Sequence, residues 1–205
     1  MADEESNDFS GKRPGTWTHQ VRTDVELKPA WRMKNPSFER DALAFWQENH
    51  LILPGEEINE RLSQIVAVGY DQGKLVAVAT AFIAHVDFVN CKLAMFRCAV
   101  APEQRRSRLS TVITAYAREL LEKWSAEHPD EDVRGMGSVT QAREFEGREA
   151  RLFLRSTHLG FVGWTAQGHP FRIAWFEHAK VPEKPGNTPR TAMFVNAGRL
   201  PPSGN

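Results

Sequence analysis

The residues best placed to do chemistry are arginines and serines between a predicted strand and a predicted helix. The segment FRCAVAPEQRRSRLSTVITAYARELLEKW, residues 96–124, places Arg105, Arg106, Ser107, Arg108 and Ser110 directly before the helix. A helix N-terminus presents unpaired backbone N–H groups and a partial positive charge, so it favours anions. Guanidinium groups bind phosphate through paired hydrogen bonds. This arginine turn, residues 102–108, therefore predicts an anion site. A solvated basic turn with Ser107 as the N-cap explains the same residues.

The composition is that of an ordinary globular protein with no overall charge. Apolar residues make up 41% of the 205 residues and charged residues 25%, and Lys+Arg and Asp+Glu both total 26. We therefore expect a packed core and one domain. Nucleic-acid binding is not predicted, because there is no bulk positive field and RRSR is a short run without interleaved aromatic residues.

Cysteines, histidines and apolar runs indicate neither a metal site nor a membrane segment. Cys91 and Cys98 have no zinc-type partners at ligand spacing, and the seven histidines are scattered. The N-terminus is acidic and polar, without the apolar core of a signal peptide, and no apolar run approaches the roughly 20 residues that span a bilayer. We expect a cytoplasmic protein with no metal and no membrane partner.

Hydrophobic periodicity predicts the elements that position the arginine turn. It indicates, in chain order, a strand at 16–27, helices at 35–50 and 54–64, strands at 65–70, 74–88 and 92–100, a helix at 109–124, a strand at 133–140, a helix at 141–158, and strands at 159–165 and 171–181. This order predicts an α+β (mixed α/β) domain with a central meander flanked by helices. Composition places the domain at residues 16–180, with a disordered N-terminal tail over 1–15 and an irregular C-terminal tail over 181–205.

Two motifs in this order resemble the GCN5-related N-acetyltransferase (GNAT) superfamily. The family has a strand ending in an apolar residue, then x-Pro-x-x-(Gln/Arg)-x-x-Gly-x-(Gly/Ala) and a long helix. Here VAPEQRRSRLS, from Val100, puts Arg105 on the polar position, Arg108 on the first glycine and Ser110 on the second small residue. Downstream, ARLFLRSTHLGF resembles the family's Ala-x-x-Leu-Tyr followed by Gly-Phe. The resemblance covers residues 16–180 and implies a GNAT-like fold with a central, mostly antiparallel, twisted sheet flanked by helices.

The resemblance also implies a reaction and its binding residues. A GNAT enzyme transfers an acyl group, commonly acetyl, from acetyl-CoA or another acyl-CoA to an amine on a small molecule or a protein. The backbone of Cys98 and Val100 would bind the pantetheine arm. The pyrophosphate would be held by the turn and the helix start: Arg105, Arg106, Ser107, Arg108, Leu109 and Ser110. The three arginines could instead dock an acyl carrier protein, and a homodimer stays open.

Departures from the family leave the catalytic residues unassigned. The strand KLAMFRCAV has no acid where the family often has its base. Leu154 or Ser156 stands near the position of the thiolate-protonating tyrosine, and both loop glycines are replaced. These losses favour an alternative function, a non-catalytic GNAT-fold module that binds a ligand or a partner protein.

Several further residues could either take part in a site or have only a structural or exposed position. His85 could be a base or an exposed histidine, and Arg97 could line the substrate side or stand exposed at a sheet edge. Glu144 and Glu146 could reach a cleft, although carboxylates also favour a helix start. Three aromatic residues near the C-terminal strands are expected in the core rather than in an acyl pocket: Trp164, Trp175 and Phe176.

Overall fold

A sheet of eight strands forms the centre of the computed structural model, which describes residues 25–52, 57–105, 107–140 and 151–181. The strands are β1 (Val25–Pro29), β2 (Ile65–Asp71), β3 (Lys74–Val86), β4 (Cys91–Val100), β5 (Val133–Val139), β6 (Phe153–Leu154), β7 (Leu159–Trp164) and β8 (Pro170–Trp175). The helices are α1 (Pro36–Glu48), α2 (Ile58–Ser63) and α3 (Leu109–Glu127), and short 3₁₀ turns span Pro102–Gln104 and Pro129–Glu131.

The sheet is mixed, with one parallel pair. Its spatial order is β1-β2-β3-β4-β5-β8-β7-β6, and neighbours run antiparallel except β4 and β5. A parallel pair needs a crossover connection, and α3 supplies it between β4 and β5. The predicted fold class, a mixed α/β fold with a mostly antiparallel central sheet, is confirmed.

Helix α3 covers one face of the sheet and fixes the position of the arginine turn. Leu109, Ile113, Ala117 and Leu121 recur every four residues and are at most 1% exposed. This spacing places their side chains on one face of the helix. Complete burial of a leucine or isoleucine stabilises the fold by about 1.5–3 kcal/mol, so the first turn of α3 is held firmly by Leu109.

Helices α1 and α2 lie together on the other face. Asn35 caps α1 by accepting hydrogen bonds from the Ser37 and Phe38 N–H groups, at 3.1 and 3.4 Å. The Tyr70 hydroxyl on β2 donates to Asp41 Oδ2 at 2.9 Å and ties α1 to the sheet. Burial first, and then this hydrogen bond, raise the pKa of Tyr70 to about 12.

The prediction of a helix over residues 141–158 is wrong for its second half. Phe153–Leu154 forms strand β6, which pairs with Gly160 and Leu159 of β7, and the four residues between them form a tight turn. Thr157 stabilises this turn, because its N–H donates to the Leu154 carbonyl at 3.2 Å. Residues 141–150 lie outside the described part of the chain.

Two further predictions concern the ends of the domain. The last strand was expected over 171–181, but β8 is shorter and ends at Trp175. The start of the first predicted strand, residues 16–24, and nearly all of both tails are not described. The domain limits 16–180 therefore stay a prediction.

Candidate functional site

The arginine turn is anchored to the sheet on both sides of its 3₁₀ segment. Ala101, buried directly after β4, donates its N–H to the Val76 carbonyl at 2.8 Å. Gln104 Nε2 donates to Asp71 Oδ2 at 3.0 Å, which connects the turn to the β2–β3 hairpin. These contacts hold the turn at the end of β4, so its residues are positioned by the sheet as well as by α3.

Arg108 adopts the backbone conformation that glycine favours. Its φ is 65° and its ψ is 9°, in the left-handed region. A non-glycine residue pays roughly 1–2 kcal/mol for this conformation. Arg108 therefore combines a backbone conformation typical of glycine with an arginine side chain.

The interpretation of Ser107 as the N-cap is wrong, because Arg108 occupies the N-cap position of α3. The Ser107 hydroxyl donates to the Gln104 carbonyl at 2.7 Å and accepts the Leu109 N–H at 3.3 Å. The Leu109 side chain lies in the core, and its N–H donates to Ser107, so its role in phosphate binding stays a prediction.

The remaining predicted phosphate ligands lie at the surface of the turn. Arg105 and Arg108 are exposed, and Ser110 is half-buried in the first turn of α3. Arg106 lies outside the described residues. The structure therefore brings Arg105, Arg108 and Ser110 to one end of α3, where a helix N-terminus adds its partial positive charge.

Strands β4 and β5 separate below this turn. Their parallel pairing runs from Lys92 and Val133 to Phe96 and Ser138, and β5 continues to Val139 beside β8. Beyond Phe96, β4 continues to Val100, and its only strand partner within the described residues is β3. We call this separation, between residues 96–100 of β4 and residues 138–139 of β5, the fork.

The fork leaves backbone groups of two predicted site residues without a strand partner within the described residues. Successive residues of a strand direct their N–H and C=O groups to alternate edges. Ala101 donates its N–H towards β3, to Val76. By this alternation Cys98 and Val100 direct theirs towards the opposite edge, where β5 no longer pairs.

The Cys98 side chain is unsuited to nucleophilic chemistry. It lies on the α3 side of β4, where its thiol makes a hydrogen bond with Thr114. Burial raises the pKa of this thiol to about 12, and the Thr114 contact offsets only part of that rise. Because the thiolate is the nucleophile, a protonated Cys98 can contribute through its backbone but not as an attacking group.

Two cavities open on the sheet face opposite α3. The first, the apolar cavity, has a volume of about 300 Å³ and is lined by Val86, Phe88, Met95, Val139, Gly163, Trp164, Thr165 and Phe171. The second, the polar cavity, has a volume of about 220 Å³ and is lined by Glu57, Glu60, Arg61, Gln64, Phe82 and Arg97. Neither cavity was predicted from the sequence.

Arg97 lines the polar cavity rather than a sheet edge. Its Nη2 donates to Gln64 Oε1 at 2.8 Å, and Gln64 Nε2 donates to Glu60 Oε1 at 3.2 Å. Its guanidinium carbon lies 5.7 Å from the Phe82 ring centroid. Arg97 is exposed, and it lines the polar cavity on the face of the sheet away from α3.

The other candidate residues lie away from the fork or are not described. His85 is exposed, 3.7 Å from Asp87, and lines neither cavity. Ser156 is exposed in the β6–β7 turn. Glu144 and Glu146 lie outside the described residues.

The aromatic residues near the C-terminal strands do not share one environment. Trp164 is 67% and Trp175 46% exposed, so the prediction that both belong to the core is wrong, whereas Phe176 is buried.

In the described ranges no group of three histidine, cysteine, aspartate or glutamate side chains could hold a metal ion. No helix described there is long and apolar enough to cross a membrane.

Comparison with known proteins finds likeness in structure but not in sequence. No family model and no curated protein matches the chain. A GNAT-family acetyltransferase from Streptococcus pneumoniae matches with 9% identity and a TM-score of 0.49, over 75% of this chain and 99% of that one. The Salmonella typhimurium protein yncA, solved with its cofactor acetyl-CoA, matches with 11% identity and a TM-score of 0.49, over 78% and 99% of the chains.

The ribosomal-protein-S18-alanine N-acetyltransferase of Escherichia coli matches with 15% identity and a TM-score of 0.44, over 78% of this chain and 99% of that one. The chain is thus similar in structure to these three solved proteins over about three quarters of its length. At these identities and TM-scores, functional conclusions about this chain depend on its own residues.

Proposed function

We propose that this protein is a GNAT-type acyltransferase that binds an acyl-CoA at the fork and transfers the acyl group to an amine. One observation carries the proposal: beyond Phe96, the edge of β4 that faces away from β3 has no strand partner within the described residues, and it leads directly into an arginine turn at a helix start. The pantetheine arm of CoA is extended, contains amides and ends in a pyrophosphate. It therefore requires a strand with available backbone N–H and C=O groups, followed by an anion site. The fork and the turn supply these in that order.

In the proposed complex, the two ends of the cofactor have different partners. Backbone groups of Cys98 and Val100 bind the amides of the pantetheine arm, in the way a neighbouring strand would. Arg105 and Arg108 bind the pyrophosphate through charge-assisted hydrogen bonds, and the start of α3 adds its dipole. Arg106 is proposed as a third phosphate ligand on its position in the sequence.

The chemical step is a direct attack. The amine nitrogen attacks the thioester carbonyl carbon, the C–N bond forms, and the C–S bond breaks. The nitrogen releases a proton and the departing thiolate takes one up. Holding the two reactants in line can itself supply much of the rate enhancement, so the absence of an acid from β4 does not exclude the reaction.

Thermal unfolding and calorimetry with acetyl-CoA test the binding. A ligand that binds only the folded state raises the melting temperature by mass action. Arg105→Ala and Arg108→Ala are expected to weaken binding about tenfold each, as expected when one charge-assisted hydrogen bond is lost. Lys123→Ala is the matched control, because it removes an exposed positive charge near the other end of α3. Absence of binding by every CoA ester, or equal losses in all three variants, would contradict the proposal.

A non-catalytic module is the second candidate, supported by the acid-free β4 and the protonated Cys98 thiol. Transfer of radiolabelled acetyl from acetyl-CoA to a panel of amines separates the two. Tight CoA binding without transfer to any small-molecule, peptide or protein amine would favour the module.

The exposed Arg105 and Arg108 also support a variant in which an acyl carrier protein delivers the acyl group. In that case an acidic carrier protein would compete with CoA for the turn, and the competition would weaken with added salt. A homodimer and a cytoplasmic location stay predictions from the sequence.

A further inference from the structure

The apolar cavity begins where the fork begins. Met95 precedes the last paired residue of β4, and Val139 follows the last paired residue of β5. Both belong to the cavity lining, on the face away from α3. An arm that runs down the fork from the arginine turn therefore ends beside Met95 and Val139, at the opening of this cavity.

The floor of the cavity depends on a glycine. A Cβ atom at Gly137 would lie 2.9 Å from Met95 Sδ and 3.2 Å from Phe171 Cε2. Only the absence of this atom lets the two side chains settle over β5 at their present depth. The space above them is open partly for this reason.

The walls and rim of the cavity are also apolar. Phe88 packs edge-on against Phe171 at 5.9 Å between ring centroids, and Trp164 packs edge-on against Phe161 at 5.3 Å. The polar lining residue Thr165 accepts the His169 N–H at 3.1 Å through its hydroxyl. None of the lining residues carries a charge.

We infer that this cavity holds the acyl chain of a thioester longer than acetyl. The inference rests on the proposed function, because it takes the thioester to lie at the fork. The volume is at the lower end of the range for small-molecule pockets, which suits a chain of a few carbons. The apolar lining favours the acyl chain over the amine acceptor as the occupant, because an amine would lose its hydration there without gaining a polar partner. The polar cavity, with two glutamates and Arg97, offers the acceptor a better environment.

Calorimetric titration with CoA, acetyl-CoA, butyryl-CoA, hexanoyl-CoA and octanoyl-CoA, without any acceptor, tests the inference. Each methylene that enters the cavity is expected to tighten binding about fourfold until the cavity is full. Val86→Trp, at a lining residue of β3 outside the fork, fills the cavity and is expected to remove this gain while leaving the affinity for CoA itself unchanged. Trp164→Ala removes the rim and is expected to reduce the gain, and it has little effect on folding because Trp164 is largely exposed. Trp175→Ala is the matched control, an exposed tryptophan of β8 that does not line the cavity.

S-octanoyl-N-acetylcysteamine, which has the thioester and the chain but no phosphate, separates this inference from the proposed function. If CoA binds but affinity is independent of chain length, or if Trp164→Ala and Trp175→Ala behave alike, the acyl pocket is wrong and the CoA site stands. If CoA does not bind but the octanoyl thioester binds in a Trp164-dependent way, the CoA site is wrong and the acyl pocket stands. Binding of neither ligand overturns both.

Discussion

Arg108 combines two effects that substitution can separate. Its backbone is left-handed, which favours glycine, and its guanidinium is a proposed phosphate ligand. Arg108→Ala removes the charge and keeps the backbone cost, whereas Arg108→Gly removes both. The two variants therefore differ in conformational preference alone.

The expected sizes follow from the dihedral angles and the charge. A glycine avoids the left-handed strain of a non-glycine residue, which raises the free energy of unfolding by roughly 1–2 kcal/mol. Glycine also has more conformational freedom in the unfolded chain, which lowers the free energy of unfolding by about 0.5–1 kcal/mol. Arg108→Gly should therefore be more stable to unfolding than Arg108→Ala by up to about 1.5 kcal/mol, with a central value of about 0.75 kcal/mol. Both should bind CoA more weakly than the parent protein, by about tenfold for Arg108→Ala. The loss should be smaller for Arg108→Gly, because a glycine backbone allows closer approach of a phosphate.

Urea denaturation and calorimetric titration with CoA measure the two quantities. Arg32 provides a matched control: it is an exposed arginine with φ 59°, and it stacks on Trp124 near the far end of α3. Arg32→Gly and Arg32→Ala should show the same difference in stability and no change in CoA affinity. Equal stability of the two Arg108 variants would refute the left-handed backbone. Unchanged CoA affinity in Arg108→Ala would refute the phosphate contact.

Two further predictions concern the cavity floor and the buried thiol. Overpacking against Met95 and Phe171 costs about 1–3 kcal/mol, and the loss of glycine's freedom in the unfolded chain offsets about 0.5–1 kcal/mol, so Gly137→Ala should lower the free energy of unfolding by at most about 2.5 kcal/mol. It should also remove the preference for long acyl chains, whereas Gly160→Ala, whose Cβ would lie 3.7 Å from its nearest neighbour, should do neither in urea denaturation or calorimetry. Because the pKa of Cys98 is raised to about 12, the folded thiol keeps a proton that the unfolded chain releases near pH 9, so stability should fall as pH rises from about 9 to 12. Cys98→Ala should make this fall shallower, by at most about 1.4 kcal/mol per pH unit, and an identical fall in both proteins would contradict the raised pKa.

Local periodicity was enough to predict the part of the fold that carries the turn. The β2–β3–β4 meander and α3 involve neighbours in sequence, and the core residues of α3 recur every four positions. The β6–β7 hairpin was missed because its turn takes positive φ at His158, 58°, without the glycine or asparagine that normally marks such a turn. Its residues were therefore taken as the end of a helix.

The site could be predicted only where it is continuous in sequence. The arginine turn is one segment, so its residues and its anion chemistry could be predicted together. The apolar cavity combines residues of five strands, β3, β4, β5, β7 and β8, and of these β5 and β8 are neighbours in the sheet but not consecutive in the chain. The face to which Arg97 points depends on strand pairing, which the sequence alone left open.

The positions of the two cavities restrict how a reaction at the fork could proceed. Both lie on the face away from α3, with Met95 lining the apolar cavity and Arg97, two residues further along β4, lining the polar one. A thioester at the fork would have its acyl chain on the β5 side, where the lining carries no charge. The acceptor amine would then approach from the β3 side, past Arg97, Gln64 and Glu60. Charged groups on that side can hold a polar acceptor in line with the carbonyl carbon, and positioning of this kind is what direct acyl transfer needs from a protein that has no acid on β4.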